Sequence, residues 1–184
     1  MKPLICILLF LSLAFTANAQ KFITRNGFIS FYSHTPLEEI KAENNQVVGV
    51  LDISTGEMVF QVLIKSFHFE RALMEEHFNE NFMESHKYPK SLFKGKITNL
   101  ASVDFKKNGQ YDVTVEGELT IREVTKKIAG KGILEVVSGG INGSSKLNIV
   151  PEDYNITIPG VVRDKIDKSF EVNISMKFTP LSDK

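Results

Sequence analysis

The stretch from Tyr111 to Arg122 alternates without a break. Tyr111, Val113, Val115, Leu119 and Ile121 fall on one side, with Gly117 among them. Asp112, Thr114, Glu116, Glu118, Thr120 and Arg122 fall on the other. Successive side chains of a strand point to opposite faces, so this pattern puts one face in an apolar interior and one in water. Phe170, Val172, Ile174, Met176 and Phe178 repeat it against Glu171, Asn173, Ser175, Lys177 and Thr179. Further strands are predicted over 28–35, 47–53, 58–67, 93–101, 125–137 and 144–150. The first carries apolar residues on both faces, which predicts cover on both sides. Ser54-Thr55-Gly56, Lys106-Lys107-Asn108-Gly109 and Ser138-Gly139-Gly140 read as the turns between neighbours, Asn-Gly being a hairpin signal. Many strands joined by short turns point to a barrel or a sandwich, and pattern alone does not separate the two.

Two features interrupt the strands. Thr35-Pro36-Leu37-Glu38-Glu39-Ile40 reads as a short helical turn, with Thr35 as cap and Pro36 at the first position. The larger one lies within Ser66–Ile97. Phe67 and Phe69 sit two apart, as in a strand. Leu73, Met74, His77, Phe78, Asn81 and Phe82 then recur at three and four, the spacing of one helical face. Asn79, Asn81 and Ser85 weaken that helix, so one or two short helices are predicted, ending at Tyr88-Pro89. This partly helical, aromatic insert reads as a lid or plug. Gly130 and Gly132 share a face with Ile128 and Leu134, a pattern that marks sharp bending or close approach of a ligand. Residues 151–168, with Pro159-Gly160, are expected to cross one end of the fold.

The N-terminus has its own logic. Met1-Lys2 starts positive, Pro3 to Phe15 is nearly all apolar, and Ala17-Asn18-Ala19 is a small-residue cleavage site. Residues 1–19 therefore read as a secretory signal peptide, too short to span a membrane. Residues 20–184 form one predicted domain. The single cysteine, Cys6, lies inside the leader, so the processed chain has no thiol and no disulfide. Lys and Arg number 22 against 22 Asp and Glu, a balance that gives no sign of nucleic acid as a partner.

A set of short motifs, in order, resembles the YceI family of bacterial polyisoprenoid-binding proteins. They are Ser33-His34-Thr35-Pro36-Leu37-Glu38, Ser66-Phe67-His68-Phe69 followed by Met74 and His77, Asn81-Phe82-Met83, Tyr88-Pro89, Phe93-Lys94-Gly95, Gly117-Glu118-Leu119-Thr120-Ile121 and Asp153-Tyr154-Asn155-Ile156. They extend over residues 28–178. The resemblance implies an all-β fold, an antiparallel lipocalin-like barrel of about eight strands with a short helical insert. It implies export to the periplasm and an isoprenoid chain held inside. One departure stands out: many relatives carry His-Gly after the Leu-Thr-Ile segment, where this chain has Arg122-Glu123.

The chemistry-bearing residues are few. Gly-x-Ser-x-Gly, a phosphate-cradling glycine loop and cysteine motifs are all absent. His34, His68, His77 and His86 lack tight metal-ligand spacing. A metal-dependent enzyme built on His34, His77 and Glu76 is one alternative, and a dry-core module for envelope interactions is another. The reading carried forward is an exported protein, not an enzyme, without cofactor, whose ligand is a polyisoprenoid lipid such as a quinone or prenyl phosphate. Its apolar cavity and lid would be built from Phe31, Phe67, Phe69, Met74, Phe78, Phe82, Phe93, Val113, Val115, Val172, Ile174 and Met176. His34 and His77 would meet a polar headgroup or orient the lid. Methionines and phenyl rings adapt to the methyl branches of a prenyl chain. Transient contact with an envelope membrane and a homodimer remain open partners.

Overall fold

Nine antiparallel strands carry almost all of the backbone hydrogen bonding in a computed structural model that describes residues 21–181. They are β1 (Lys21–His34), β2 (Glu39–Asp52), β3 (Glu57–Leu63), β4 (His68–Phe69), β5 (Lys90–Ile97), β6 (Gly109–Ile121), β7 (Val124–Val137), β8 (Gly140–Ile149) and β9 (Phe170–Pro180). Sheet order is β1-β9-β8-β7-β6-β5-β3-β2, and β1 pairs again with β2. Eight strands thus close into a barrel, and the two-residue β4 is a spur on β2. Closure leaves no free outer edge to the sheet as a whole. The expected leader, its cleavage site and Cys6 lie outside the described residues.

Antiparallel succession sorts the connections into two ends. One end carries the β2–β3 turn, the β5–β6 loop, the β7–β8 turn, the start of β1 and the end of β9. Its interior is filled: Phe22, Val136 and Ile141 are buried there, packed with Leu51, Met176 and Phe178, which also border the space above. The other end carries residues 35–38, the insert 64–89, the β6–β7 turn and residues 150–169. A smaller cluster of Ile64, Met83, Ile121, Tyr154 and Ile156 sits at this end.

Several boundaries differ from the sequence reading, each for a physical reason. Residues 35–38 form no helix; they are the loop of the β1–β2 hairpin. Thr35 Oγ1 still accepts from the amides of Leu37 and Glu38, as a cap would, while the Thr35 amide bonds back to Glu38 O at 3.0 Å. The strand expected to run to Phe67 ends at Leu63 in a tight turn, Ile64–Ser66. Fully buried Asn44 caulks the break, donating to Leu63 O at 2.9 Å and accepting from the Gln46 amide at 2.8 Å. Phe69 then rejoins β2 opposite Ala42. The helical part is α1 (Ala72–His77), running directly into a π-helical turn, Phe78–Phe82. It stops at Glu84, whose φ of 45° is left-handed, well before Tyr88-Pro89. Asn108-Gly109 lies at the start of β6 and does not form a two-residue hairpin, because an eleven-residue connection, 98–108, precedes β6. Arg122 and Glu123 form the two-residue β6–β7 turn with φ of 48° and 68°, the mirror-image turn that suits a twisted hairpin.

Candidate functional site

Above the solid end, the barrel encloses a cavity of about 870 Å³. Packed interiors seldom leave voids much larger than a water molecule, whereas ligand pockets occupy about 300–1,000 Å³. The dry-core alternative therefore does not fit this interior. The twelve apolar residues singled out from the sequence all line the cavity. Alternation accounts for Val113, Val115, Val172, Ile174 and Met176, since each strand turns every second side chain inward. Phe93 needs a further condition. Gly95 and Gly117 face each other across β5 and β6, and the Phe93 ring lies against both. A Cβ would fall 2.5 Å from that ring at Gly95 and 2.7 Å from it at Gly117.

The insert roofs this space. Phe31 of β1 stands at the centre of the contact, its ring centroid 5.3 Å from Phe67, 5.7 Å from Phe69, 5.5 Å from Phe78 and 5.5 Å from Phe170. Phe69 and Phe78 approach to 5.0 Å. Tilted and edge-on aromatic pairs at these distances add about 0.5–1.5 kcal/mol each beyond burial. Glu75 Oε2 accepts from the Phe69 amide at 3.1 Å, which fixes α1 to β4.

Arg122 fixes the other end of the roof. Its guanidinium pairs with Glu84 and donates to Phe82 O at 3.0 Å and to Asn155 O at 3.2 Å. It also lies 5.4 Å from the centroid of the Tyr88 ring. One side chain from the β6–β7 turn thus holds both the insert and residues 151–158.

The rim is charged. Glu38, Arg71, His77 and Lys165 border the cavity there, and Arg71 Nη2 meets Glu38 Oε1 at 2.5 Å. His77 is exposed on α1. His34 does not border the cavity; it is exposed at the end of β1, with Nδ1 3.1 Å from Glu39 Oε1. Glu39 also accepts from the Tyr32 hydroxyl, which raises the Tyr32 pKa. His68 lies 3.6 Å from Glu75. Among the described residues, no three His, Cys, Asp or Glu side chains come together as a metal-binding group. His34, His77 and Glu76 are not assembled into the site the enzyme alternative needs.

Sequence reasoning missed the cavity wall contributed by residues 151–166: Pro151, Ile156, Ile158, Val162 and Ile166. A signal was present. Tyr154, Ile156 and Ile158 are spaced by two, and all three are buried. Burial raises the Tyr154 pKa, with Asp153 adding to the effect.

The sequence pattern of the YceI-like domain matches residues 21–178, nearly the whole described chain. The chain belongs to the YceI family. No curated protein matches it in sequence. Among solved structures it is similar to a polyisoprenoid-binding domain from Saccharophagus degradans implicated in plant cell wall breakdown. That match has 14% identity and a TM-score of 0.76, covering 89% of this chain and 99% of the other. BcnA of Burkholderia cenocepacia follows at 12% identity and a TM-score of 0.68, covering 82% and 95%. The YceI protein of Campylobacter jejuni has 17% identity and a TM-score of 0.62, covering 82% and 90%. At these identities the likeness is one of fold, and the YceI barrel is what this chain shares with all three.

Proposed function

We propose that this YceI-family protein binds a polyisoprenoid lipid and stores or carries it without chemical conversion. The observation that carries this reading is the roofed apolar cavity of about 870 Å³. The lining is mostly phenyl, methionine and aliphatic side chains, with charge at the rim and at Lys146 in the β8 wall. A prenyl chain matches the depth, and a polar headgroup matches the rim. The polyisoprenoid-binding description of the Saccharophagus relative supports the same ligand class. Arg71 and Lys165 suit a prenyl phosphate, and His77 suits a hydrogen bond to either a phosphate or a quinone oxygen. The protein would do this after export, in the periplasm or outside the cell, as the leader over residues 1–19 implies.

The test is mass spectrometry of an organic extract from protein purified without detergent. A stoichiometric prenyl lipid is the expected result, and its headgroup decides between quinone and phosphate. An extract free of prenyl lipid, from protein that also fails to take one up from vesicles, overturns the reading. N-terminal analysis of envelope material should find Gln20 first; intact Met1 would remove the export step.

A further inference from the structure

β7 and β8 pair along only part of their length. Their ladder starts beside the turn at Val137 and Gly140 and stops at Gly132 opposite Ser145. Beyond that point β7 pairs only with β6, and β8 only with β9. At the fork Ser145 Oγ donates to Lys131 O at 2.7 Å. The far side is bridged, because Tyr154 and Ile156 pack with Val124 and Ile149, and Arg122 bonds to Asn155 O. The result is a window in the barrel wall. Residues 128–131 of β7 face residues 146–149 of β8 across it, a length of about 13 Å at the usual rise per strand residue.

The cavity reaches this window. On β9 the lining residues alternate, as in a closed wall: Val172, Ile174 and Met176, without the residues between them. At the window and beside it they run nearly continuously, over Ile128–Gly130 and Gly132–Leu134 on β7 and from Gly143 to Ile149 on β8. Side chains and backbone of both faces border the same space, so the space passes between the strand edges. The space beside Gly130 is open; a Cβ there would meet nothing within 4 Å.

Buried or paired backbone is the rule, and unpaired strand edges are a liability that folds cover. Where β6 outruns β5, this fold does cover the edge. Asn99 Oδ1 accepts from the Thr114 amide at 2.8 Å, and its Nδ2 donates to Asp112 O at 3.0 Å. Past Ser145 nothing comparable crosses from β8 to β7 among the described residues. The roof, by contrast, is fastened at Arg71–Glu38, at Phe69–Glu75 and around Phe31.

We propose that this window is the portal for the lipid: the prenyl chain enters and leaves sideways between β7 and β8, not past the helical insert. The proposal rests on the lipid-binding reading above. Extending the ladder places Ala129 opposite Asn148, both bordering the gap.

The experiment links either opening shut. The processed chain has no cysteine of its own, so two introduced thiols are unambiguous. One variant is Ala129→Cys with Asn148→Cys, across the window. The other is Glu43→Cys with His68→Cys, where the roof's β4 pairs with β2. Each is loaded with geranylgeraniol, joined by a short bis-methanethiosulfonate linker, and mixed with deuterated geranylgeraniol in phosphatidylcholine vesicles. Exchange is followed by mass spectrometry. Linking the window is expected to slow exchange by about tenfold or more, with recovery on reduction, while linking the roof leaves it unchanged. A slow roof-linked protein beside a normal window-linked one overturns the portal, as does normal exchange in both. Binding is measured first, on the unlinked proteins. Failure to bind there overturns the lipid reading itself, so the two failures are distinguishable.

Discussion

Arg122 and Glu84 form an ion pair in which both residues sit on left-handed backbone, at φ of 48° and 45°. They are 38 positions apart in the chain, one in the β6–β7 turn and the other just past the π-helical turn. Left-handed geometry costs an ordinary residue about 1–2 kcal/mol, so the side-chain contacts must offset strain at both ends. The pair is partly buried, with Arg122 17% and Glu84 34% exposed, which shields it from solvent. The offset is incomplete, since Arg122 Nε is buried without a partner. Arg122→Ala is expected to lower stability by about 1–3 kcal/mol, the range for hydrogen bonds to charged groups. Arg122→Gly loses the same contacts but relieves the backbone, so it should be less destabilised by about 1 kcal/mol. Urea unfolding of the three proteins measures both. Equal losses for Ala and Gly would remove strain from the explanation.

Val115 and Ile174 both point into the cavity from β6 and β9. Trp at either site in a solid interior would cost about 1–3 kcal/mol through overpacking. Here the indole has space, so the lipid-free variants should lose little stability, while co-purified lipid should fall sharply. Bound ligand stabilises by mass action, so wild type should lose stability on delipidation and Val115→Trp should not. Thermal unfolding before and after lipid extraction checks this. Strong destabilisation of both variants, with wild type indifferent to extraction, would contradict it.

His77 stands on the rim with no metal-forming neighbours, and His34 is occupied with Glu39 at 3.1 Å. Native protein is expected to carry no stoichiometric zinc, iron or copper. His77→Ala should weaken lipid retention and leave metal content as it was. Elemental analysis paired with lipid quantification reads both, and a stoichiometric metal lost with His77 would revive the enzyme alternative.

Glu152 and Arg163 join the two helical turns of the segment between β8 and β9. The hydrogen bond from Arg163 holds the Glu152 pKa below its ordinary value. A depressed folded pKa contributes stability that is present above the unfolded value, about 4.3, and is lost as pH falls through the lower folded value. Both side chains are about two-fifths exposed, so the contribution should not exceed about 1 kcal/mol. Between pH 6 and 3 wild type should therefore lose slightly more stability than Glu152→Gln. Parallel curves in a pH series of urea titrations would rule the pair out as a contributor.

The barrel wall was legible because its cause is local. Alternation in β6 and β9 is written in consecutive residues, and a two-sided wall admits no other period. The helical face of the insert was legible for the same reason. Boundaries set by distant partners were not. Thr35-Pro36 has the local chemistry of a helix start, but β1 and β2 pair so extensively that the same hydroxyl serves a hairpin loop. Nothing near Leu63 announces a break, because the residue that makes it tolerable is Asn44, nineteen positions earlier. Arg122 stood out only as a departure from the family pattern at the end of a strand, and its role depends on Phe82, Glu84 and Asn155 arriving beside it. The parting of β7 from β8 did leave a trace: Gly130 and Gly132, at the point where the ladder stops, were visible as an anomaly, while the identity of the parting strand was not.

The Leu181 amide donates to Lys21 O at 2.7 Å, so the first and last described residues meet at the end of the barrel opposite the roof. Apart from that one seam, every pair of adjacent staves in the closed barrel is joined by its own loop. From Lys21 to Leu181 the chain is therefore nearly a ring in connectivity. A short linker from Leu181 to Lys21, with new termini cut at Ser54-Thr55, would give a rearranged gene encoding the same walls. It would also move the slowest contact. In the natural order, β1 must find β9 from the opposite end of the chain before the cylinder shuts, the kind of non-local pairing that slows folding. In the rearranged order that seam becomes an ordinary hairpin, and the late step passes to β2 and β3.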